Sequence, residues 1–506
     1  MVDSDPRGGR TASAKSTPRY ETIDVARRPN LAGKRFHFIG AGGVGMSGLA
    51  QLLVRNKGIV TGSDLAASSV TANLCRIGAD IRIGHCKDNL DANTDAVVFS
   101  AAIKEDNPEL VLARERGCKV YKYAQMLGML CDRYEGVAIS GTHGKSTTTG
   151  WLSFLLRQAG IDASFVVGAD VPQLGGSSGV GDSNCFIVEA CEYDRSFLNL
   201  RPRIACVLNI EPDHLDYYRD EEDIINAFGE FALGIKPGGV LIANGQDANV
   251  AEAIRGVRLD NDSERDWYDR VSSKDIRCET FGLDADCDFH AENMMQDAGL
   301  HTFDVYYRDT LLGATRMSLA GRHNVMNALA VTAMAINVGV PAEQTMRLLP
   351  SFTGVDRRLM LKQQLGEITV LDDYAHHPTE IKATLDAIRQ RYQPRRIWCI
   401  FQPHQYSRTR FLLDDFAESF KLADVTIVPD IYFVRDSEAA KKEVNSRVLV
   451  ERLRENGAQA VFIADFGAIC DYLIHNVAAG DLVVTMGAGD VWKVADGYIQ
   501  RLRGDS

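Results

Sequence analysis

The string Ser140-Gly141-Thr142-His143-Gly144-Lys145-Ser146-Thr147-Thr148-Thr149 holds the strongest chemical signal in the chain. Glycines in such a turn let backbone N–H groups close round an anion. The lysine ammonium can reach terminal phosphates and the serine hydroxyl can ligate Mg²⁺. The string follows the apolar run Gly136-Val137-Ala138-Ile139 and precedes a helix-like run from Trp151 to Ala159. That is the strand–turn–helix setting a phosphate cradle needs. Ile139 stands where the first glycine of the usual form would be, so this is a P-loop variant built on Gly141 and Gly144. It points to chemistry driven by a nucleoside triphosphate.

Other chemical groups lie where apolar strands should end. Glu189, with Glu192 and Asp194 behind it, follows Cys185-Phe186-Ile187-Val188 and is placed as a metal ligand. His214 lies in Asn209-Ile210-Glu211-Pro212-Asp213-His214-Leu215-Asp216, among carboxylates. A neutral imidazole there could bind a second Mg²⁺, and an imidazolium could pair with the acids. Gly40-Ala41-Gly42-Gly43-Val44-Gly45 follows a strand and opens a helix, and Asp64 ends the next strand. This is a diphosphate-binding turn; alone it would suggest NAD, and the glycines do not choose the ligand. Asn324 and Asn327 share a helix face, although Asn324 could equally be an N-cap. Asp372-Asp373-Tyr374-Ala375-His376-His377-Pro378 and Phe401-Gln402-Pro403-His404-Gln405-Tyr406-Ser407-Arg408-Thr409-Arg410 each follow a strand-like run. Arg408 and Arg410 could clamp a carboxylate or phosphate, or serve as surface polar residues.

These groups need elements to hold them. From about residue 34 short β-branched runs alternate with helical runs: Phe36-His37-Phe38-Ile39, then Met46 to Arg55, then Ile59-Val60-Thr61-Gly62 and Ala96-Val97-Val98-Phe99. The rhythm resumes at Val137, through Ala205-Cys206-Val207-Leu208. It returns from Ile368, through Ile397-Trp398-Cys399-Ile400, Val425-Thr426-Ile427-Val428 and Leu482-Val483-Val484-Thr485. It predicts parallel sheets covered by helices. Residues 245–315, polar and irregular, read as an antiparallel excursion. Glycine-containing segments place boundaries near 128 and 354. The expected units are a disordered tail 1–28, rich in Ser, Thr, Gly and Arg, then 29–128, 129–353 and 354–506.

Composition narrows the class. At 506 residues the length prior is about three domains. A formal charge of −12 argues against nucleic acid as the main partner. No apolar run approaches the ~18 residues of a membrane span, and the N-terminus lacks the apolar core of a secretory signal. The 11 cysteines are scattered without a Cys-x-x-Cys pair, which suits reduced thiols in a cytoplasm.

The chain resembles the Mur ligases, ATP-dependent amide-forming enzymes of peptidoglycan precursor synthesis. Four strings carry the resemblance: Gly40 to Ser47, Gly141 to Ser146, Asp372 to Glu380 and Phe401 to Arg410. It runs from about residue 34 nearly to the C-terminus, and the missing P-loop glycine is normal for the family. Within the family the strings are most similar to the members that join L-alanine to the carboxylate of UDP-N-acetylmuramate. The resemblance implies an α/β fold of three domains: a Rossmann-like N-terminal domain, a central P-loop ATPase-type domain with a mostly parallel sheet, and a Rossmann-like C-terminal domain. The first would bind the UDP part of the substrate, through Gly40, Gly42, Gly43, Gly45, Met46, Ser47, Asp64 and Ser100. The second would bind ATP, through Gly141, Thr142, His143, Gly144, Lys145, Ser146 and Thr147, with His323, Asn324 and Asn327 on the adenine side. Arg358 and Asp373 would reach in from the third domain. Lys145, Glu189, His214, Arg358 and Asp373 would be catalytic. Ser146, Glu189 and His214 would hold Mg²⁺, as two ions. Tyr374, His376, His377 and Arg408 would face the amino acid. Gln405 stands where many relatives carry Arg, and Cys191 and Tyr193 replace residues that are often Asp and Ser.

Overall fold

The computed structural model describes residues 31–100, 102–255, 275–433, 436 and 440–504. The expected tail, 1–28, lies outside the described residues. Short runs of Val, Ile and Phe, buried along nearly their whole length, form the central strands of three sheets, as parallel strands covered on both faces require.

The first sheet holds β1 (Arg35–Ile39), β2 (Ile59–Asp64), β3 (Asp80–Ile83), β4 (Ala96–Phe99) and β5 (Lys119–Lys122), all parallel, in the order β3-β2-β1-β4-β5. The strand order reverses at β1, and ligands bind beyond strand ends at such a switch point. The glycine turn leads from β1 into helix α1 (Val44–Arg55). Helices α2 (Ser69–Arg76), α3 (Pro108–Glu115) and α4 (Tyr123–Arg133) complete this part.

The second sheet centres on β6 (Glu135–Ser140), which leads through the P-loop into α5 (Lys145–Gln158). Then come β7 (Ser164–Val171), β8 (Gly176–Gly179), β9 (Cys185–Glu189), β10 (Ile204–Val207), α6 (Glu221–Leu233), β11 (Val240–Asn244) and α7 (Ala248–Arg255). Strands β12 (Arg277–Gly282), β13 (Phe289–Asp297), β14 (Leu300–Tyr307) and β15 (Thr310–Arg316) follow, and helices α8 (Arg322–Val338) and α9 (Ala342–Leu348) close the block. The order is β15-β14-β13-β12-β11-β10-β6-β9-β7-β8. The antiparallel excursion expected over 245–315 is confined to β13–β15; β12 continues the parallel sheet from β11. Residues 256–274 of that stretch lie outside the described residues.

The third sheet, β16-β17-β21-β18-β19-β20, is parallel except at its edge, where β16 (Met360–Leu365) runs antiparallel to β17 (Ile368–Asp373). Helix α10 (Pro378–Tyr392) follows β17. Then come β18 (Ile397–Phe401), α11 (Tyr406–Phe411), α12 (Leu413–Ala417), β19 (Val425–Val428), α13 (Ser446–Glu455), β20 (Ala460–Phe462), α14 (Phe466–Asn476), β21 (Leu482–Met486) and α15 (Trp492–Arg503).

Helix α4 runs through the boundary expected at 128/129. Gly128 is a helical residue, needed for close packing: a Cβ there would lie 2.2 Å from the Asn199 carbonyl oxygen. Gly128→Ala is therefore expected to cost about 1–3 kcal/mol, the usual overpacking penalty, read as a lower urea midpoint. One apolar cluster joins Met46, Leu49 and Leu127 to Phe186 and Phe197, so the first two sheets share a core. The two apolar clusters of the third sheet draw only on residues 359–502.

Candidate active site

Beta strand β6 ends at Ser140, and the chain turns at Gly141 with φ 144° and Gly144 with φ 82°, backbone that only glycine adopts freely. Asn209, at the end of β10, holds the turn. Its carbonyl accepts from the Thr142 N–H at 3.0 Å and its side-chain oxygen from the His143 N–H at 2.7 Å. A Cβ on Gly144 would come within 2.9 Å of Asn327 Oδ1. The turn is thus a tight backbone cradle at a helix N-terminus, as an anion site requires.

A cavity of about 570 Å³ opens beside it, within the range of small-molecule sites. It gathers His143, Gly144, Thr147, His323, Asn324 and Asn327 from the second block with Arg358 and Asp373 from the third. Asn324 does not cap α8, since Gly321 takes that place with φ 93°. Instead Asn324 Oδ1 accepts from Asn327 Nδ2 at 3.0 Å, which fixes both amides on the cavity wall. Burial pushes the Asp373 carboxyl up to about 6 against the charge of Arg358.

Lys145 and Ser146 lie in a neighbouring corner. Lys145 Nζ donates to Glu192 at 2.9 Å and to the carbonyls of Gly141 at 2.5 Å and Thr142 at 3.0 Å. Burial opposes its charge, but the Glu192 carboxylate raises its pKa. His214 Nε2 lies 3.5 Å from Glu192 and 3.8 Å from Asp213. Glu189 points elsewhere: it accepts from the Gly168 N–H of β7 at 2.7 Å. The acid against Lys145 and His214 is therefore Glu192, three residues past the strand. Strand alternation aims Glu189 and says nothing of a residue on the following turn. Serine and carboxylate oxygens with one imidazole form a donor set that suits Mg²⁺.

The seam between the second and third blocks is polar. His143 lies 3.4 Å from Glu211 and 3.3 Å from Glu380. Burial works against its charge, yet bonds and charge from Glu211 and Glu380 raise its pKa to about 9. Glu380 also pairs with Arg358 at 3.2 Å, and Glu211 accepts from Thr379 Oγ1 at 2.6 Å. Arg408 places Nε at 3.0 Å and Nη2 at 2.7 Å from Asp213 Oδ1. Burial would raise the Asp213 carboxyl, but Arg408 holds it well below the usual carboxylate range. Tyr374 is flanked by the guanidinium groups of Arg357 and Arg358 at 5.0 and 5.1 Å, and burial lowers His376 to about 4. Tyr374, His376, His377 and Arg408 lie outside the cavity wall, beside the seam. Gln405 is 3% exposed, with φ 69°, at the start of α11.

Sequence reasoning made Glu211 and Asp213 only possible partners of His214 and gave Glu380 no role. Their partners are up to 195 residues away in sequence. The spacing of His376 and Glu380, i and i+4, was the one local signal.

The Gly40–Gly45 turn sits at the C-terminal end of β1. Asp64 accepts from the Gly42 N–H at 2.7 Å, so this carboxylate holds the turn itself. Gly43 is the N-cap of α1, Met46 and Ser47 are buried in its first turns, and Ser100 lies 3.3 Å from a Cβ built on Gly40. The Ser63 carbonyl accepts from Gly40 and Ala41 at 2.9 and 3.0 Å, and its hydroxyl donates to Glu109 at 2.6 Å. Glu109, fully buried, also accepts from His37 Nε2 at 2.9 Å, Asn89 at 2.8 Å and the Cys86 N–H at 3.0 Å. Burial opposes this charge, and the bonds from His37, Ser63 and Asn89 outweigh it, so its pKa is lowered. A folded pKa below the unfolded value, about 4.3, gives stability that is complete above that pH and lost as pH falls through the folded value. Glu109→Gln is expected to remove about 1–3 kcal/mol at neutral pH. The deficit against wild type should shrink on acidification, as urea midpoints at pH 7, 5 and 4 would measure.

A glycine turn at one switch point, a P-loop over a second sheet and a third domain closing on the same cavity define a ligase of the Mur type. Residues 35–135 match the description "Mur ligase family, catalytic domain", 139–335 "Mur ligase middle domain" and 357–489 "Mur ligase, glutamate ligase domain". The chain belongs to the Mur ligase family. It is 40% identical over 472 residues to a UDP-N-acetylmuramate–L-alanine ligase of Acetivibrio thermocellus, covering 92% of this chain and 96% of that one. A Clostridium botulinum (strain Okra) enzyme of the same name is 41% identical over 470 residues, covering 92% and 97%. Among solved structures, a UDP-N-acetylmuramate–alanine ligase of Thermotoga maritima superposes with TM-score 0.74 at 24% identity, covering 93% and 100%. A murein peptide ligase of Psychrobacter arcticus superposes with TM-score 0.65 at 26% identity, covering 93% and 99%.

Proposed function

We propose that the chain joins L-alanine to the carboxylate of UDP-N-acetylmuramate at the expense of ATP, releasing ADP and phosphate in peptidoglycan precursor synthesis. The observation that carries this is identity at 40% and above, across nine-tenths of the chain, to enzymes of that name. The cavity between the P-loop and the third domain supports it.

The reading gives each group a task. The glycine turn Gly40, Gly42, Gly43 and Gly45, with Met46, Ser47, Asp64 and Ser100, takes the UDP diphosphate side. Gly141 to Thr147 cradles the ATP phosphates, and His323, Asn324 and Asn327 take the adenine end. Lys145 neutralises charge as the substrate carboxylate approaches the γ-phosphate, which its own charge would repel. Ser146, Glu189 and His214, with Glu192 beside them, would hold Mg²⁺ as two ions, Glu189 turning from the Gly168 N–H to do so. Bound Mg²⁺ supplies further neutralisation of the phosphate oxygens. Attack of the carboxylate on the γ-phosphate gives an acyl phosphate, and the neutral alanine amine then displaces phosphate to form the amide. Arg358 and Asp373 complete the nucleotide site when the third domain closes. Tyr374, His376, His377 and Arg408 receive the amino acid. The reading carries a cytoplasmic location; no helix among the described residues is long and apolar enough to cross a membrane.

Phosphate release from MgATP tests it directly. Release that requires both UDP-N-acetylmuramate and L-alanine is expected. Release with a tripeptide in place of alanine would overturn the amino-acid assignment, and no release with either would overturn the activity.

A further inference from the structure

We propose that His143, Glu211 and His377 form a binding site for a transition-type divalent cation, with a ligand set that suits Zn²⁺, at the seam between the P-loop and the third domain. One ligand atom from each residue lies within 4.8 Å of the others. His143 Nε2 is 3.4 Å and His377 Nδ1 is 3.6 Å from the same oxygen of Glu211. Tetrahedral Zn²⁺ with bonds near 2.0–2.1 Å has ligand–ligand edges of roughly 3.3 Å, so the two edges to Glu211 need to close by only tenths of an ångström, while the edge between the two imidazoles lies within 4.8 Å.

A second observation points the same way. Nε2 of His143 is buried and meets only Glu211, at a long 3.4 Å, while His377 Nδ1 faces the same carboxylate and takes a long 3.4 Å bond from the Thr379 N–H, leaving its own Nε2 buried without a partner among the described residues. His377 is 5% exposed, and the two rings face each other with centroids 4.8 Å apart. Orphaned buried imidazole nitrogens are costly unless something occupies them.

The surroundings are those of a ligand shell. Glu380 lies 3.3 Å from His143 Nδ1 and can hold that N–H, so coordination through Nε2 displaces only the other ring proton, the one that faces Glu211. Thr379 Oγ1 donates to Glu211 at 2.6 Å and orients the carboxylate. Two imidazoles and one carboxylate favour Zn²⁺ over the oxygen-preferring Mg²⁺ and leave a fourth position open. This set is separate from Ser146, Glu189 and His214.

Two ligands come from the second domain and one from the third, so the ion would staple the seam. His143 and Glu211 also line the nucleotide cavity. Occupancy would therefore oppose ATP entry. That regulatory clause rests on the ATP reading; the binding of the ion does not.

Cobalt(II), a coloured stand-in for Zn²⁺, tests the site on the full chain without nucleotide. One Co²⁺ per chain is expected, with a tetrahedral visible absorption band that lacks cobalt–thiolate charge transfer. Zn²⁺ should bleach the band and excess Mg²⁺ should not. His377→Asn keeps an N-cap acceptor for α10 but removes the imidazole. It and Glu211→Gln should each weaken binding about 10-fold or more, on the scale of metal-shell losses. No band, or a band unchanged in both variants at wild-type circular dichroism, would overturn the site. Loss of the band on adding ADP is expected; a band that persists at saturating ADP would overturn the regulatory clause alone.

Discussion

Lys145→Ala is expected to lower ATP-dependent phosphate release by about 10²–10³-fold, the usual loss when one preorganised electrostatic group is removed from a developing charge. The ammonium is held at the mouth of the P-loop by Glu192 and by the carbonyls of Gly141 and Thr142. All three of its protons are thus spent on protein oxygens, so contact with a phosphate exchanges at least one of these bonds while the charge stays beside the cradle. The same substitution has a second effect. Lysine and glutamate side chains here are 13% and 4% exposed, so truncation leaves Glu192 buried without its main counter-charge. Breaking a buried pair from one side typically costs about 3–5 kcal/mol. Lys145→Ala/Glu192→Gln separates the two effects: stability should recover while turnover stays low. Urea midpoints and phosphate release on both variants would show it. Near-normal turnover in Lys145→Ala would sink the role assigned to this lysine.

Arg408→Ala should weaken the seam and raise the KM for L-alanine together. The guanidinium is buried and spends two nitrogens on one oxygen of Asp213. Its removal strands that carboxylate, again a loss of about 3–5 kcal/mol. If Arg408 also receives the amino-acid carboxylate, losing a charge-assisted bond of about 1.5–3 kcal/mol raises KM roughly 10- to 100-fold. Asp213→Asn distinguishes these roles. It loosens the seam yet leaves the guanidinium available, so KM for alanine should rise far less. A KM for alanine unchanged in Arg408→Ala would remove Arg408 from the acceptor site.

The P-loop was legible because its chemistry is local. A strand, two glycines, Lys145 and a helix are adjacent in sequence, and nothing distant decides how they fold. The same holds for Gly40 to Gly45 on β1. Legibility ended where a partner came from another block. His37 reads as one more strand residue, yet its ring meets Glu109 on α3 under the glycine turn. Glu211 reads as a neighbour of His214 and Glu380 has no partner in its own segment but His376, yet they enclose His143 from two domains. Gly128 read as a break in the chain and is instead the point where two backbones touch. In each case the deciding fact is a tertiary contact that periodicity does not encode.

The unequal seams also set how the molecule should come apart. The first two sheets share an apolar core, so separating them exposes hydrocarbon and should unfold both as one cooperative unit with a large heat-capacity change. The third sheet keeps its apolar clusters to itself, and its contacts with the second block beside the cavity include hydrogen bonds and ion pairs. Swinging it away would wet mainly polar groups. Opening of that joint should give a far smaller heat-capacity change than unfolding of the shared core while changing the shape of the molecule in solution, so scattering is the observable in which it would be seen first.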